Sequence, residues 1–389
     1  MRKITADWLF PISSEPIENG VIIVDNQGKV LKTDTRDNHD AASLEHYKGV
    51  IVPGFINTHC HLELSHMKGK VDTGTTLIPF IRGVVTQRAA EAEVIADAIE
   101  RAEKEMIEGG IVAVGDISNV TDTFAQKAKG NLRYYTFVEM FDFLQENDAD
   151  KEFEKYKAVY DALPLAKGSR KSIVPHAPYS VSRQLFKKIN DLNAKEGIII
   201  SIHNQETQAE QDMFLYGKGG FYDFYGNFGI TLDASKPSGK TSIHYALENL
   251  PPSVKTLFVH NTLTSKADIG AAQMWSENVY WATCPNANLY IENRLPNYQN
   301  FIDDHVRMTI GTDSLTSNWQ LSILEEMKTI QRFQSYVPFD LLIRWATLNG
   351  AQALGFDDTL GSFDIGKTPG INLLDVENDF ILRGVKKLI

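Results

Sequence analysis

Eight short apolar runs, each followed by a longer stretch of helical spacing or polar loop, constrain this chain more than any other feature. The runs are Gly49 to Asn57, Ile111 to Asp116, Arg133 to Met140, Ser172 to Pro175, Ile198 to His203, Thr256 to His260, Val279 to Thr283 and Arg307 to Thr312. Short strands that alternate with helices imply a parallel sheet, because parallel neighbours need a crossover between them. Eight such units form a (β/α)8 barrel of TIM type, about 250 residues long, which fits residues 50 to 358 once inserts are allowed for. Between the first two runs, Thr75 to Glu108 is rich in Ala, Glu, Arg and Ile at helical spacing, and Gly109-Gly110 supplies its stop.

The chain ends follow another rhythm. Gly20 to Val24 and Lys29 to Lys32 flank Asn26-Gln27-Gly28, which suits a hairpin. Strand-like pieces return at Asn372 to Val376 and Phe380 to Leu382. Residues 1–49 and 359–389 are therefore expected to build one small β-sandwich domain from both ends, with a hydrolase barrel between them. An insert at residues 212 to 250, carrying Tyr216-Gly217-Lys218-Gly219-Gly220 and then Phe221, Tyr222, Phe224 and Tyr225, could form a lid or merely pack on the surface.

Barrel enzymes hold their chemistry at the C-terminal ends of the strands, and here the polar residues cluster at those ends. His59-Cys60-His61 follows the first run. Residues two apart on a strand face the same side, so both imidazoles could bind one ion. Taken alone, a His-x-His pair is weak evidence. The fifth run ends in His203, the sixth in His260, and the eighth leads into Asp313. Three imidazoles and a carboxylate suit Zn²⁺ or Fe²⁺ and leave room for a water. Alternation turns Cys60 toward the helices, as a buried structural thiol.

Several motifs together resemble the deaminase-type branch of the amidohydrolase superfamily over essentially the whole chain. They are Pro53-Gly54-Phe55-Ile56-Asn57-Thr58-His59-Cys60-His61-Leu62-Glu63, His176-Ala177-Pro178-Tyr179-Ser180, His203-Asn204-Gln205-Glu206, Cys284-Pro285-Asn286-Ala287-Asn288-Leu289, and Gly311-Thr312-Asp313-Ser314 followed by Ser317-Asn318. Ala287 departs from the Ser usual in the fourth of these. The resemblance implies one divalent metal, zinc first and iron second, on His59, His61, His203 and Asp313. It implies His260 beside the activated water, Glu206 as proton shuttle and Asp313 as acceptor of a second proton. Where two-metal relatives carry a bridging carboxylated lysine, this chain has His176, which favours one metal. His176 and Glu63 are then expected to contact the substrate, with a structural role for Glu63 equally weighted.

The implied reaction is hydrolytic deamination of a purine nucleoside-like small molecule, with aminodeoxyfutalosine, 5′-methylthioadenosine and S-adenosylhomocysteine as candidates. Rival readings are triazine dechlorination or cyclic-amide opening on the same metal, and a metal-binding homologue that has lost turnover. A formal charge of −11 with no basic patch opposes binding to nucleic acid or anionic membranes, and no run reaches the roughly 18 apolar residues of a membrane helix. The polynucleotide-deaminase and His-Glu-x-x-His protease signatures are absent. Two distant cysteines, Cys60 and Cys284, fit a cytoplasmic setting, and a homodimer is the ordinary assembly to expect.

Overall fold

Arg133–Met140 and Val279–Thr283 form strands over the same residues that their apolar runs predict. The computed structural model describes residues 1–194, 197–232 and 238–389. Its inner strands are β1 (Phe55–Cys60), β2 (Ile111–Ser118), β3 (Arg133–Met140), β4 (Arg170–Pro175), β5 (Ile199–Asn204), β6 (Lys255–His260), β7 (Val279–Thr283) and β8 (Met308–Ile310). They make two four-stranded parallel sheets of consecutive strands, β1 to β4 and β5 to β8. Contacts near the strand ends join the sheet edges. Cys60 bridges to Asp313 in parallel, and His203 N–H donates to the carbonyl of His176 at 2.9 Å.

The inner strands are buried along nearly their whole length, as expected when both faces of a parallel sheet are covered. Helix α1 (Leu77–Gln87) and helix α2 (Ala92–Glu108) occupy the stretch expected to be one helix, with a break at Arg88–Glu91. Ala98, Ile99, Ala102 and Met106 form the buried stripe of α2, whose C-cap is Gly109. Elsewhere the core stacks Trp281 between Phe258 and Phe301 at ring separations of 5.3 and 5.5 Å. Replacing a fully buried Trp of this kind by Ala costs about 3–5 kcal/mol.

The first run does not form one strand. Val50–Pro53 pairs antiparallel with Ile371–Glu377 in an outer sheet, whereas the inner strand begins at Phe55. Gly54 is the turning point. Its N–H donates to Pro369 O at 3.1 Å, and a Cβ there would lie 2.4 Å from Val112 Cγ1. The expected hairpin is present, Gly20–Val24 against Val30–Thr35. Strands from both chain ends meet in the five-stranded outer sheet, ordered Ile381–Lys387, Ile371–Glu377, Val50–Pro53, Trp8–Leu9, Ile17–Glu18. Among the described residues, no helix is long and apolar enough to cross a membrane.

Candidate active site

The strand ends turn by unusual backbone. Gln205, His260 and Asp313 all have positive φ, of 48°, 71° and 57°. Such conformations cost non-glycine residues on the order of 1–3 kcal/mol each unless neighbours impose them. Here the neighbours do. The N–H groups of Thr312 and Asp313 both donate to His59 O, at 2.9 and 3.0 Å. The buried Glu210 carboxylate accepts from Gln205 N–H at 3.0 Å and from Glu206 N–H at 2.8 Å. Gly311 permits the close approach of β1, since a Cβ there would lie 2.7 Å from His59 Cβ.

These turns bring donor atoms of His59, His61 and His203, and of His59, His260 and Asp313, within 4.8 Å of one another in two groups that share His59, although the residues come from four strands. His61 Nε2 lies 3.2 Å from His59 Nε2 and 3.3 Å from His203 Nε2. Asp313 Oδ1 lies 3.5 Å from His59 Nε2 and 3.3 Å from His61 Nε2. Four ligands held tetrahedrally about 2.1 Å from a zinc ion would stand about 3.4 Å from one another, so the donor set has the size of such a shell. Its protonation state suits the same use. Burial pushes His61 down to about 4 and drives His59, His203 and His260 the same way, toward neutral imidazole. Burial opposes ionisation of Asp313, yet the His59 contact and the adjacent imidazoles hold its carboxyl well below the usual range.

Outer contacts orient the rings. His203 Nδ1 faces His176 O at 2.9 Å and Glu139 Oε1 at 3.3 Å, His260 Nδ1 faces Asn288 Oδ1 at 3.0 Å, and Ser317 Oγ donates to Asp313 Oδ2 at 2.6 Å. Donation from Nδ1 leaves the lone pair of Nε2 directed inward. Glu206 Oε1 stands 3.7 Å from His260 Nε2. Burial, reinforced by the charges of Asp313 and Glu210, raises the Glu206 carboxyl well above its ordinary value.

A cavity of about 290 Å³ opens above this cluster. His61, His176, His203, Glu206, His260 and Asp313 form its floor. Its walls are mostly apolar, with Arg88, Asn119, Glu139, Ser180 and Ser314 as the polar lining residues outside the floor. Leu77, Phe80, Ile81, Val84 and Val85 come from α1, and Phe221, Phe224 and Tyr225 from helix α3 (Gly220–Gly226), with Phe228 and Ile230 just beyond it. Phe221 stacks on Tyr179 at 4.4 Å, and Tyr225 Oη donates to Tyr179 O at 2.7 Å. The 212–250 insert thus covers the cavity, except that residues 233–237 lie outside the described ones.

His176 lines the cavity with its Nδ1 2.6 Å from Ser180 Oγ. Glu63, for which substrate contact and a structural role were equally weighted, is not among the lining residues. Its carboxylate is buried behind the wall, accepting from Asn119 N–H at 2.9 Å and Val120 N–H at 3.2 Å and facing Arg88 at 3.4 Å. Cys60 is fully buried, and burial pushes its thiol up.

The sequence reading assigned no role to Glu139, Asn288, Ser317, Glu210 or Arg88. Glu139 carried a usable signal, since it lies one residue before the end of a predicted strand. Asn288 and Ser317 stood inside motifs already noticed.

Residues 50–387 match the amidohydrolase family, and the chain belongs to it. It is 27% identical over 377 residues to an aminodeoxyfutalosine deaminase of Nitratiruptor sp., covering 90% of this chain and 85% of that one. Among solved structures it resembles Helicobacter pylori aminofutalosine deaminase in complex with methylthio-coformycin, with TM-score 0.81, 22% identity and full coverage of both chains. It also resembles a Xanthomonas campestris adenosine deaminase with bound zinc, with TM-score 0.74, 21% identity and coverage of 97% and 85%. At these identities the solved structures establish a shared fold.

Proposed function

We propose that this chain is a metal-dependent aminohydrolase that removes an exocyclic amine from a purine nucleoside-like substrate. Aminodeoxyfutalosine, 5′-methylthioadenosine and S-adenosylhomocysteine are the candidates. The observation that carries the reading is Glu206, a buried carboxyl raised above its ordinary value and set beside His260 and the convergent donors His59, His61, His203 and Asp313. His59, His61, His203 and Asp313 would hold one divalent ion, zinc first and iron second. Such an ion lowers the pKa of a water toward about 7.

The residues of the chain supply the rest. The oxygen of water bonds to the ring carbon that bears the amine, and the carbon–nitrogen bond breaks. Glu206 gives its proton to the substrate nitrogen and regains one from the attacking water, while Asp313 accepts the second proton on the way to ammonia. His260, held by Asn288, stands where charge develops on the former water oxygen. His176 orients the ring from across the floor. The apolar walls exclude water and receive the base and any apolar substituent.

The same reading takes the two parallel sheets as a closed (β/α)8 barrel. It joins residues 1–49 and 359–389, with Val50–Pro53, into one small β-sandwich domain. It places the enzyme in the cytoplasm, in keeping with two free, buried cysteines, acting on a free small molecule as a homodimer.

The test is ammonia release by metal-replete protein across adenine nucleosides, aminodeoxyfutalosine, cytosine, guanine and triazines, with Glu206→Gln alongside. Release that vanishes in the variant supports deamination and names the substrate. No release from any of these by protein with one bound metal would overturn it.

A further inference from the structure

Behind the His59-Cys60-His61 segment lies a charged pair that the chemistry above does not use. Asp116, on β2, is fully buried, and Lys127, from the short helix Phe124–Ala128, is 3% exposed. Lys127 Nζ stands 2.5 Å from Asp116 Oδ2, donates to Ser118 Oγ at 2.9 Å, and lies 5.4 Å from the centre of the Tyr134 ring. Neither residue lines the cavity. Two ions taken this far from water cost more than a well-packed apolar pair of the same volume unless they perform a task.

The task is visible in the backbone. The parallel β1–β2 ladder shifts register between Phe55 and Ile56 and again between Asn57 and Cys60, where Cys60 comes to face Asp116. Beyond that shift, a side chain takes over from the ladder. Leu62 N–H donates to Asp116 Oδ1 at 2.8 Å, and that N–H belongs to the peptide immediately after His61. The bond therefore fixes the rotation of the His61 backbone (φ −118°, ψ 75°) and with it the direction of the ring.

We propose that Asp116 is a positioning residue for the metal shell, acting through the Leu62 N–H, and that Lys127 is the cation that holds its carboxylate in place. This rests on the metal reading given above, but not on the identity of the substrate. Residues that hold ligands from outside a metal shell change metal affinity by about 10- to 100-fold when altered.

Two neutral double variants isolate the bond. Asp116→Asn with Lys127→Met keeps an acceptor for Leu62 and strands no charge. Asp116→Leu with Lys127→Met has nearly the same volume and no acceptor. Zinc affinity is read by chelator competition, and melting temperature without metal is read in parallel. The Asn/Met protein is expected to hold zinc within about three-fold of wild type, and the Leu/Met protein about 10- to 100-fold more weakly, with similar metal-free melting. Equal zinc affinity in the two doubles would overturn the proposal and leave the pair as packing for the Phe124–Ala128 helix. If the Leu variant does not fold, Lys127→Met alone decides: about 10-fold weaker zinc supports the proposal and unchanged zinc overturns it. A wild-type chain that holds no zinc or iron would instead overturn the metal reading, and this inference with it.

Discussion

The floor and the walls of the cavity are built on opposite plans. On the floor, His176, His203, His260 and Asp313 are each held by a named partner near a strand end, and in three places the backbone in or beside the site has positive φ. The walls are helix faces of Leu, Ile, Val and Phe without a directional bond from any of these side chains to the space they enclose. Rigidity is concentrated where bonds must break, and adaptable apolar surface where a substrate must be accepted. Substitutions on the floor should therefore act on kcat and metal binding, and substitutions on the walls on KM and substrate choice.

The sharpest way to break this comparison is Glu206→Gln. It should lower kcat by about 100- to 10,000-fold, the worth of a positioned acid–base group, while metal content by elemental analysis stays unchanged. A comparable rise in KM with kcat unchanged instead would put Glu206 among the binding residues. Asn288→Ala removes the acceptor that selects the His260 tautomer, and kcat should fall by about 10- to 100-fold with KM nearly constant, as read in steady-state assays. On the wall, Phe224→Ala should shift preference between an apolar-tailed nucleoside and adenosine by about 10-fold, since hydrophobic contacts discriminate by about 1–3 kcal/mol. Metal affinity should not move. At the rim, Phe228 is 56% exposed, so Phe228→Ala should change kcat/KM by about two-fold or less and stability by about 0.5 kcal/mol or less. A larger kinetic effect there would make the rim part of the recognition surface.

The same division marks what was legible in the sequence. The eight runs and their polar ends could be read because burial on both faces makes parallel strands continuous in apolar residues, and because each ligand sits next to such a run. Asp313 and His260 thus stood out before any coordinates. The wall did not. Leu77, Phe80 and Val84 have the spacing of any amphipathic helix, and spacing does not say whether a stripe meets the core or a cavity. Glu63 stayed open between two roles for a related reason, since two residues past His61 a carboxylate can turn to the mouth or away from it, and the backbone N–H groups that bond it come from Asn119 and Val120. Position along a strand is a short-range property. Partnership across the fold is not.

The break at Gly54 carries one more consequence. Only four residues lie between it and His59, and Val50–Pro53 is stitched into the outer sheet between Trp8–Leu9 and Ile371–Glu377. The small sheet is thus a mooring for the strand that bears two of the four ligands, rather than an appendage beside the catalytic part. A chain trimmed to begin at Gly54 would set that strand adrift and bare the edge of Ile371–Glu377. The catalytic portion and its apparent accessory are one mechanical unit, and neither can be carried to another scaffold alone.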